Sequence, residues 1–197
     1  MANILAPFGF RWVRQLTGTA PNCAMNTRRI SKTYATAIYH GDPVVSESTG
    51  YIQQAAPGTT QIAGIFAGCK YLSVSQGRTL WSSYWPGADA AQDVECYIID
   101  DPSAVFTVQA NGGPVALADV GSNVNFAIGT GTASSGMSGA TLDASTIATT
   151  ATLPFRIVGY VGDNMFSGAG PGSDPTTAYN YVFVTFNNQD FKSLTGI

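Results

Sequence analysis

The chain has 197 residues, a formal net charge of −3 and a charged content of only 11%, less than half that of an ordinary globular domain. Its length supports a core without disulfides, because a chain of this size buries roughly 70% of the surface its unfolded form exposes. Glycine, serine, threonine and asparagine are plentiful and none is a strong helix former, so the composition excludes a helical bundle and leaves strands and turns.

Charge is unevenly laid out. Arg11, Arg14, Arg28, Arg29 and Lys32 precede the first acid, Asp42, so the first 41 residues carry about +5; the remainder sets four basic against twelve acidic side chains, about −8. A basic leader on an acidic body can neutralise its own body, a neighbouring copy or an acidic partner. Positive charge is scarce elsewhere, and no nucleic-acid partner is expected.

The opening Met1-Ala2-Asn3-Ile4-Leu5 is interrupted by Pro7, Gly9 and Arg11 before an apolar signal region develops, so the chain reads as made in the cytoplasm. Residues 1–26 hold Phe8, Phe10, Trp12 and Val13 among turn formers without sustained periodicity, which predicts an extended N-terminal arm. Too few periodic apolar residues accompany these rings to bury them locally, so the arm, with Arg11 and Arg14 on it, is expected to lie on a different polypeptide.

From residue 27 to 197 the sequence predicts an all-β body, a small barrel or sandwich of short antiparallel strands with little helix. Apolar stretches at 33–39, 43–46, 61–74, 78–85, 94–99, 104–109, 123–128, 155–161 and 179–186 recur between Gly, Pro and Asp punctuation. They allow two small modules, about 27–110 and 111–197. Helix is expected in less than roughly a tenth of the chain, and only Ala88 to Asp93 offers a turn of it. Residues 129–152 form a Gly/Ser/Thr tract, mobile alone but able to pair as a strand when docked, and Ser167 to Pro175 is turn material. The stretch between Asp119 and Asp143 is uncharged without being continuously apolar, so no membrane span is expected. The last strand, Tyr179 to Phe186, is apolar on both faces, which predicts a central strand or one covered by another subunit.

Chemistry-bearing patterns are weak. Cys23, Cys69 and Cys96 are an odd number without C-x-x-C spacing, signalling neither a disulfide framework nor a metal site. His40 is the single imidazole, with Asp42 two residues on, and Gly136-Met137-Ser138-Gly139 only approaches a nucleophile elbow. Asp100-Asp101-Pro102 reads as a turn cap after a strand. No catalytic residue, metal or cofactor is expected. Trp81, Tyr84 and Trp85 are candidates for an aromatic contact between subunits, against core packing or glycan stacking.

Five blocks in order are similar to small virion proteins of tailed phages: Pro7-Phe8-Gly9-Phe10-Arg11-Trp12-Val13-Arg14, Gly41-Asp42-Pro43-Val44, Gly64-Ile65-Phe66-Ala67-Gly68-Cys69-Lys70-Tyr71, Trp81-Ser82-Ser83-Tyr84-Trp85-Pro86, and Asp100-Asp101-Pro102 through Phe106-Thr107-Val108-Gln109. The resemblance is to capsid cement or decoration proteins. It implies a non-enzymatic role on the virion surface, the major capsid protein as partner, a homotrimer, and capsid or subunit contact by Phe8, Phe10, Arg11, Trp12 and Arg14. A head-fibre base, a tail or adaptor protein and a glycan-binding virion protein are the alternatives.

Overall fold

The structure is a computed structural model that describes residues 3–161 and 174–193. Among these the chain forms twelve strands: β1 Arg11–Gln15, β2 Asn26–Ile30, β3 Pro43–Ser46, β4 Ile52–Gln54, β5 Gly64–Leu72, β6 Thr79–Ser82, β7 Val94–Ile99, β8 Ala104–Asn111, β9 Asn123–Ala127, β10 Thr141–Ala148, β11 Phe155–Tyr160 and β12 Tyr181–Phe186. One short 3-10 turn, Leu117–Asp119, is the only helical element among them. The all-β expectation is met, and none of these elements is a helix long and apolar enough to cross a membrane.

The strands make two sheets. In the first the order is β2-β7-β5-β3-β4, with β6 also on β5. In the second the order is β1-β8-β10-β9-β11-β12, and β12 pairs back onto β8, so β8, β10, β9, β11 and β12 close a five-stranded barrel. Pairing is antiparallel except between β8 and β10, where Leu142 and Asp143 run parallel to Ala110 and Asn111. There are two cores, and the one inside the barrel also takes Ile65 and Ile99 from strands of the first sheet. Alternation in β7 sends Val94, Cys96 and Ile98 inward with Ile30, Phe66 and Trp85, while Val182, Val184 and Phe186 of β12 join Phe106, Phe126 and Phe155 inside the barrel. The chain passes from one unit to the other between Ile99 and Ala104, not at residue 110, and β1 returns from the N-terminus to the barrel.

In the single chain the arm's aromatics are seated on its own barrel rather than left uncovered for another polypeptide. Phe10 is 1% exposed, stacked on Phe155 (centroids 4.4 Å) and edge-on to Phe106 (6.4 Å). Trp12 packs partly buried against the same core. Phe8 lies edge-on to Tyr181 (5.4 Å), Arg11 sits over Phe8 (5.7 Å) and Arg14 over Phe183 (5.6 Å). The arm therefore supplies the cover that the outer face of β12 requires, and β12 has partners on both edges, β11 and β8. Phe8 and Phe10 point different ways because Gly9 breaks the alternation: its φ is +74°, and a Cβ there would lie 2.7 Å from Ser138 Cβ.

Other local expectations shift for identifiable reasons. Residues 33–39 contribute only an isolated bridge, Ile38 to Trp85, because Tyr34 turns back to donate to Ser31 and its carbonyl accepts from Ala88 and the Trp85 indole. Ala88 to Asp93 is not helical: Asp89 accepts from Ser73 and Ser75, and Ala91 N donates to Leu72 O. The Gly/Ser/Thr tract does pair, as β10, antiparallel to β9. The loop expected at Ser167 to Pro175 lies outside the described residues up to position 173.

Candidate functional site

The joint between the two units brings together the residues with hydrolase-like chemistry. Gly41 and Pro43 fold the chain sharply around Asp42, and His40 bridges to Met137 in the loop that carries Ser138. Asp42 is buried and accepts from Ser138 Oγ, from Tyr39 N (2.8 Å) and from Gln54 Nε2 (2.8 Å). Burial raises its carboxyl above the ordinary aspartate value, opposed by these three donors. His40 is exposed and its Nδ1 donates to Ala67 O (3.0 Å). A nucleophilic serine needs an imidazole to receive its proton. Here the Ser138 hydroxyl is given directly to a buried carboxylate and also accepts from Ala140 N (2.8 Å), so the three side chains clamp the joint.

Asp100, Asp101 and Asp190 are likewise engaged within the chain. Asp101 accepts from Ser103 N (2.8 Å), the expected turn cap, and from Gln15 Nε2 (2.8 Å), whereas neighbouring Asp100 turns inward to Asn26 Nδ2 (2.9 and 3.0 Å). Arg28 reaches Asp190 (3.4 Å), and Gln189 Nε2 donates to Ala63 O and Asp100 O, tying the C-terminal residues to the first sheet. Among the described residues no three His, Cys, Asp or Glu side chains gather as a metal site.

The aromatic block divides. Trp85 is fully buried, edge-on to Tyr71 (5.1 Å), with its indole donating to Tyr34 O (3.1 Å). Tyr84 is half-buried and stacked on Tyr39 (5.3 Å, 6°). For Trp85 the expectation of a contact between subunits is corrected, because its ring belongs to the core of the first sheet, whereas Tyr84 keeps part of its surface open. Trp81 alone projects outward, 69% exposed.

On the outer face of the first sheet Trp81 stacks parallel to Tyr97 of β7 (5.8 Å, 4°), and Lys70 of β5 extends over the indole (5.0 Å). The two rings lean toward each other across Gly68, where a Cβ would come within 2.9 Å of Ser82 O. Aromatic cover of a strand glycine is a familiar stabilising device, yet it leaves most of the indole in water. Beside it runs an open groove of about 490 Å³ lined by Met25, Ala67, Gly68, Trp81, Ser83 and Tyr97. Tyr97 donates to Glu95 (2.9 Å), and partial burial together with that bond raises its phenol. Lys70 and Glu95 are register partners that turn to different rings, so cation and anion flank the aromatic pair. No family model, curated protein or solved structure matches this chain. The groove is thus defined by its own geometry: a hydrogen-bonded sheet, an exposed indole, an apolar floor.

Sequence reasoning singled out Trp81 but missed Tyr97, Lys70 and Met25. Alternation in Val94-Glu95-Cys96-Tyr97-Ile98 marks Tyr97 as outward; only the register of β5 against both β6 and β7 places it beside Trp81.

The thiols yield a direct test of this packing. Burial pushes Cys69 and Cys96 up to about 12, while Cys23 is exposed on the connector after β1. Iodoacetamide on the native protein is expected to modify Cys23 and spare the other two, with all three reacting in denaturant. Peptide mass mapping checks it; modification of Cys69 or Cys96 at the Cys23 rate would contradict the packing of β5 on β7.

Proposed function

We propose that this chain is a non-enzymatic structural protein of a virus particle, a cement or decoration protein that binds the outside of a tailed bacteriophage head and stabilises it. Its partner is the major capsid protein, and its working form is a homotrimer. The observation that carries the reading is the outward Trp81 on the outer face of the first sheet, with Tyr97, Lys70 and Met25 around it. Tryptophan and tyrosine dominate the energetics of protein interfaces when they insert into a partner. The apolar groove floor suits a protein surface better than a glycan, whose hydroxyls require converging polar groups. The five-block resemblance points the same way. Of the arm residues first expected to meet the capsid or another subunit, Phe10 lies in the barrel core and offers the capsid no surface; Phe8, Arg11, Trp12 and Arg14 keep solvent-facing atoms.

Heads lacking this protein are expected to assemble yet burst at a lower temperature, and adding the purified protein back restores them. Trp81→Ala is expected to weaken binding to such heads by about 30-fold, the loss of a typical interface hot spot. Complete absence of heads without the protein would reassign it to the shell itself. Equal binding by Trp81→Ala would move the contact to another surface.

A further inference from the structure

The arm crosses between the two units of the fold. β1 pairs with β8 of the barrel, Arg11 opposite Thr107 and Gln15 opposite Ala104, whereas β2 pairs with β7 of the other sheet. Residues 16–25 join them and are exposed almost throughout. The first part of this connector is fastened: Leu16 N donates to Ser103 O (2.9 Å), and Gln15 N to Thr19 O and Gly18 N to Gln15 O close a turn. From Ala20 to Met25 the hydrogen bonds are local, Ala24 N to Asn22 Oδ1 (2.9 Å) and Cys23 Sγ to Pro21 O (3.9 Å). In that stretch Cys23 holds φ +56°, the left-handed region that a side chain with a Cβ enters only at a cost.

The cleft that the arm fills is selective. Phe10 lies between Phe155 and Phe106, its N–H donates to Gly41 O (2.9 Å), and Gly9 passes Ser138 where no Cβ fits. Further out, Gln109 Nε2 donates to Ile4 O (2.8 Å) and its Oε1 accepts from Ala6 N (2.8 Å), while Asn3 Nδ2 reaches Asp174 O (2.9 Å). The segment that meets all of these demands is this arm, from this copy or from another.

We propose that the arm, residues 3–15, exchanges between copies of this chain, so that in the assembled protein each barrel is completed by a neighbour's β1 and Phe10. The contacts inside the cleft are the same in either arrangement, so exchange is nearly neutral in them. The balance is tipped by the connector, because a strained hinge favours the open form. Six residues released at Ala20 to Met25 span up to roughly 20 Å when extended, enough to step between touching β bodies. Ile4 and Leu5 at the start of the arm, and Leu16 and Met25 at the two ends of the connector, are exposed apolar side chains. Exchange explains how an arm that fits its own barrel also serves as an intersubunit tie. It does not rest on the capsid role.

The register of β1 on β8 supplies the experiment. Arg11→Cys with Thr107→Cys, in a Cys23→Ser background, places two thiols on residues directly opposite in an antiparallel pair, where Cα atoms lie about 4.5–5.5 Å apart and within disulfide reach. The purified full chain is oxidised with copper-phenanthroline and run on a denaturing gel without reductant, and the new bond is located by peptide mapping. Covalent dimers or trimers joined between positions 11 and 107 are the expected result. A product wholly at monomer mass, closed within one chain, overturns the proposal. So does an equal ladder from either single-cysteine variant, which would mark surface collision. Replacing Cys23→Ser by Cys23→Gly removes the left-handed cost and is expected to lower the ratio of multimer to monomer about tenfold. An unchanged ratio eliminates the hinge as the driving force.

Discussion

Phe10→Ala is expected to destabilise the protein by about 3–5 kcal/mol, the usual loss for a fully buried phenylalanine. Phe10 is 1% exposed and meets Phe155 face to face, so alanine leaves a cavity that Gly9 and the strand pairing of β1 hold open. Removing residues 1–14 deletes this ring, most of β1 and the cover over Tyr181 and Phe183, and is expected to unfold the barrel, since a domain's whole net stability is about 5–15 kcal/mol. Composition alone favours the opposite outcome, a dispensable arm. Arg11→Ala and Arg14→Ala each lose a cation over a ring, exposed at Arg11 and half-buried at Arg14, and are expected to cost no more than about 1 kcal/mol. Urea titration of the three point variants measures the order; a Phe10→Ala midpoint equal to that of Arg11→Ala would show the arm undocked.

Two tryptophans four positions apart should behave oppositely. Trp85→Ala removes a fully buried indole, its bond to Tyr34 O and its edge contact with Tyr71, and is expected to cost about 3–5 kcal/mol. Trp81→Ala removes a ring that is 69% exposed and should shift stability by less than about 1 kcal/mol, its loss falling on binding. Thermal melts of both variants, set beside their affinity for heads, separate a core residue from an interface residue. If Trp81→Ala melts as low as Trp85→Ala, the Trp81–Tyr97 stack is a structural cap over Gly68 and loses its claim to a partner.

Much of this architecture is legible in the residues themselves. Low charge, abundant Gly and Thr and short β-branched runs between turn formers determine an all-β chain, because β-branched residues fit an extended backbone better than a helical one while Gly disfavours helix and serves the turns. Alternation further identifies which side of a strand faces inward, as in Val94, Cys96 and Ile98. What alternation within a segment does not contain is the identity of the neighbour. That β12 closes onto β8, that β1 is the arm's place in the barrel, and that Tyr97 comes to Trp81 across Gly68 are matters of register between segments far apart in the chain. The same holds for Ser138, Asp42 and His40: the sequence brings two of them close along the chain, and only the fold places the hydroxyl on the carboxylate while the imidazole turns outward. The physical reason is that local preference is set by each residue's own backbone and side-chain freedom, whereas burial of Phe10 or exposure of Trp81 depends on which apolar surfaces meet when the whole chain minimises its contact with water.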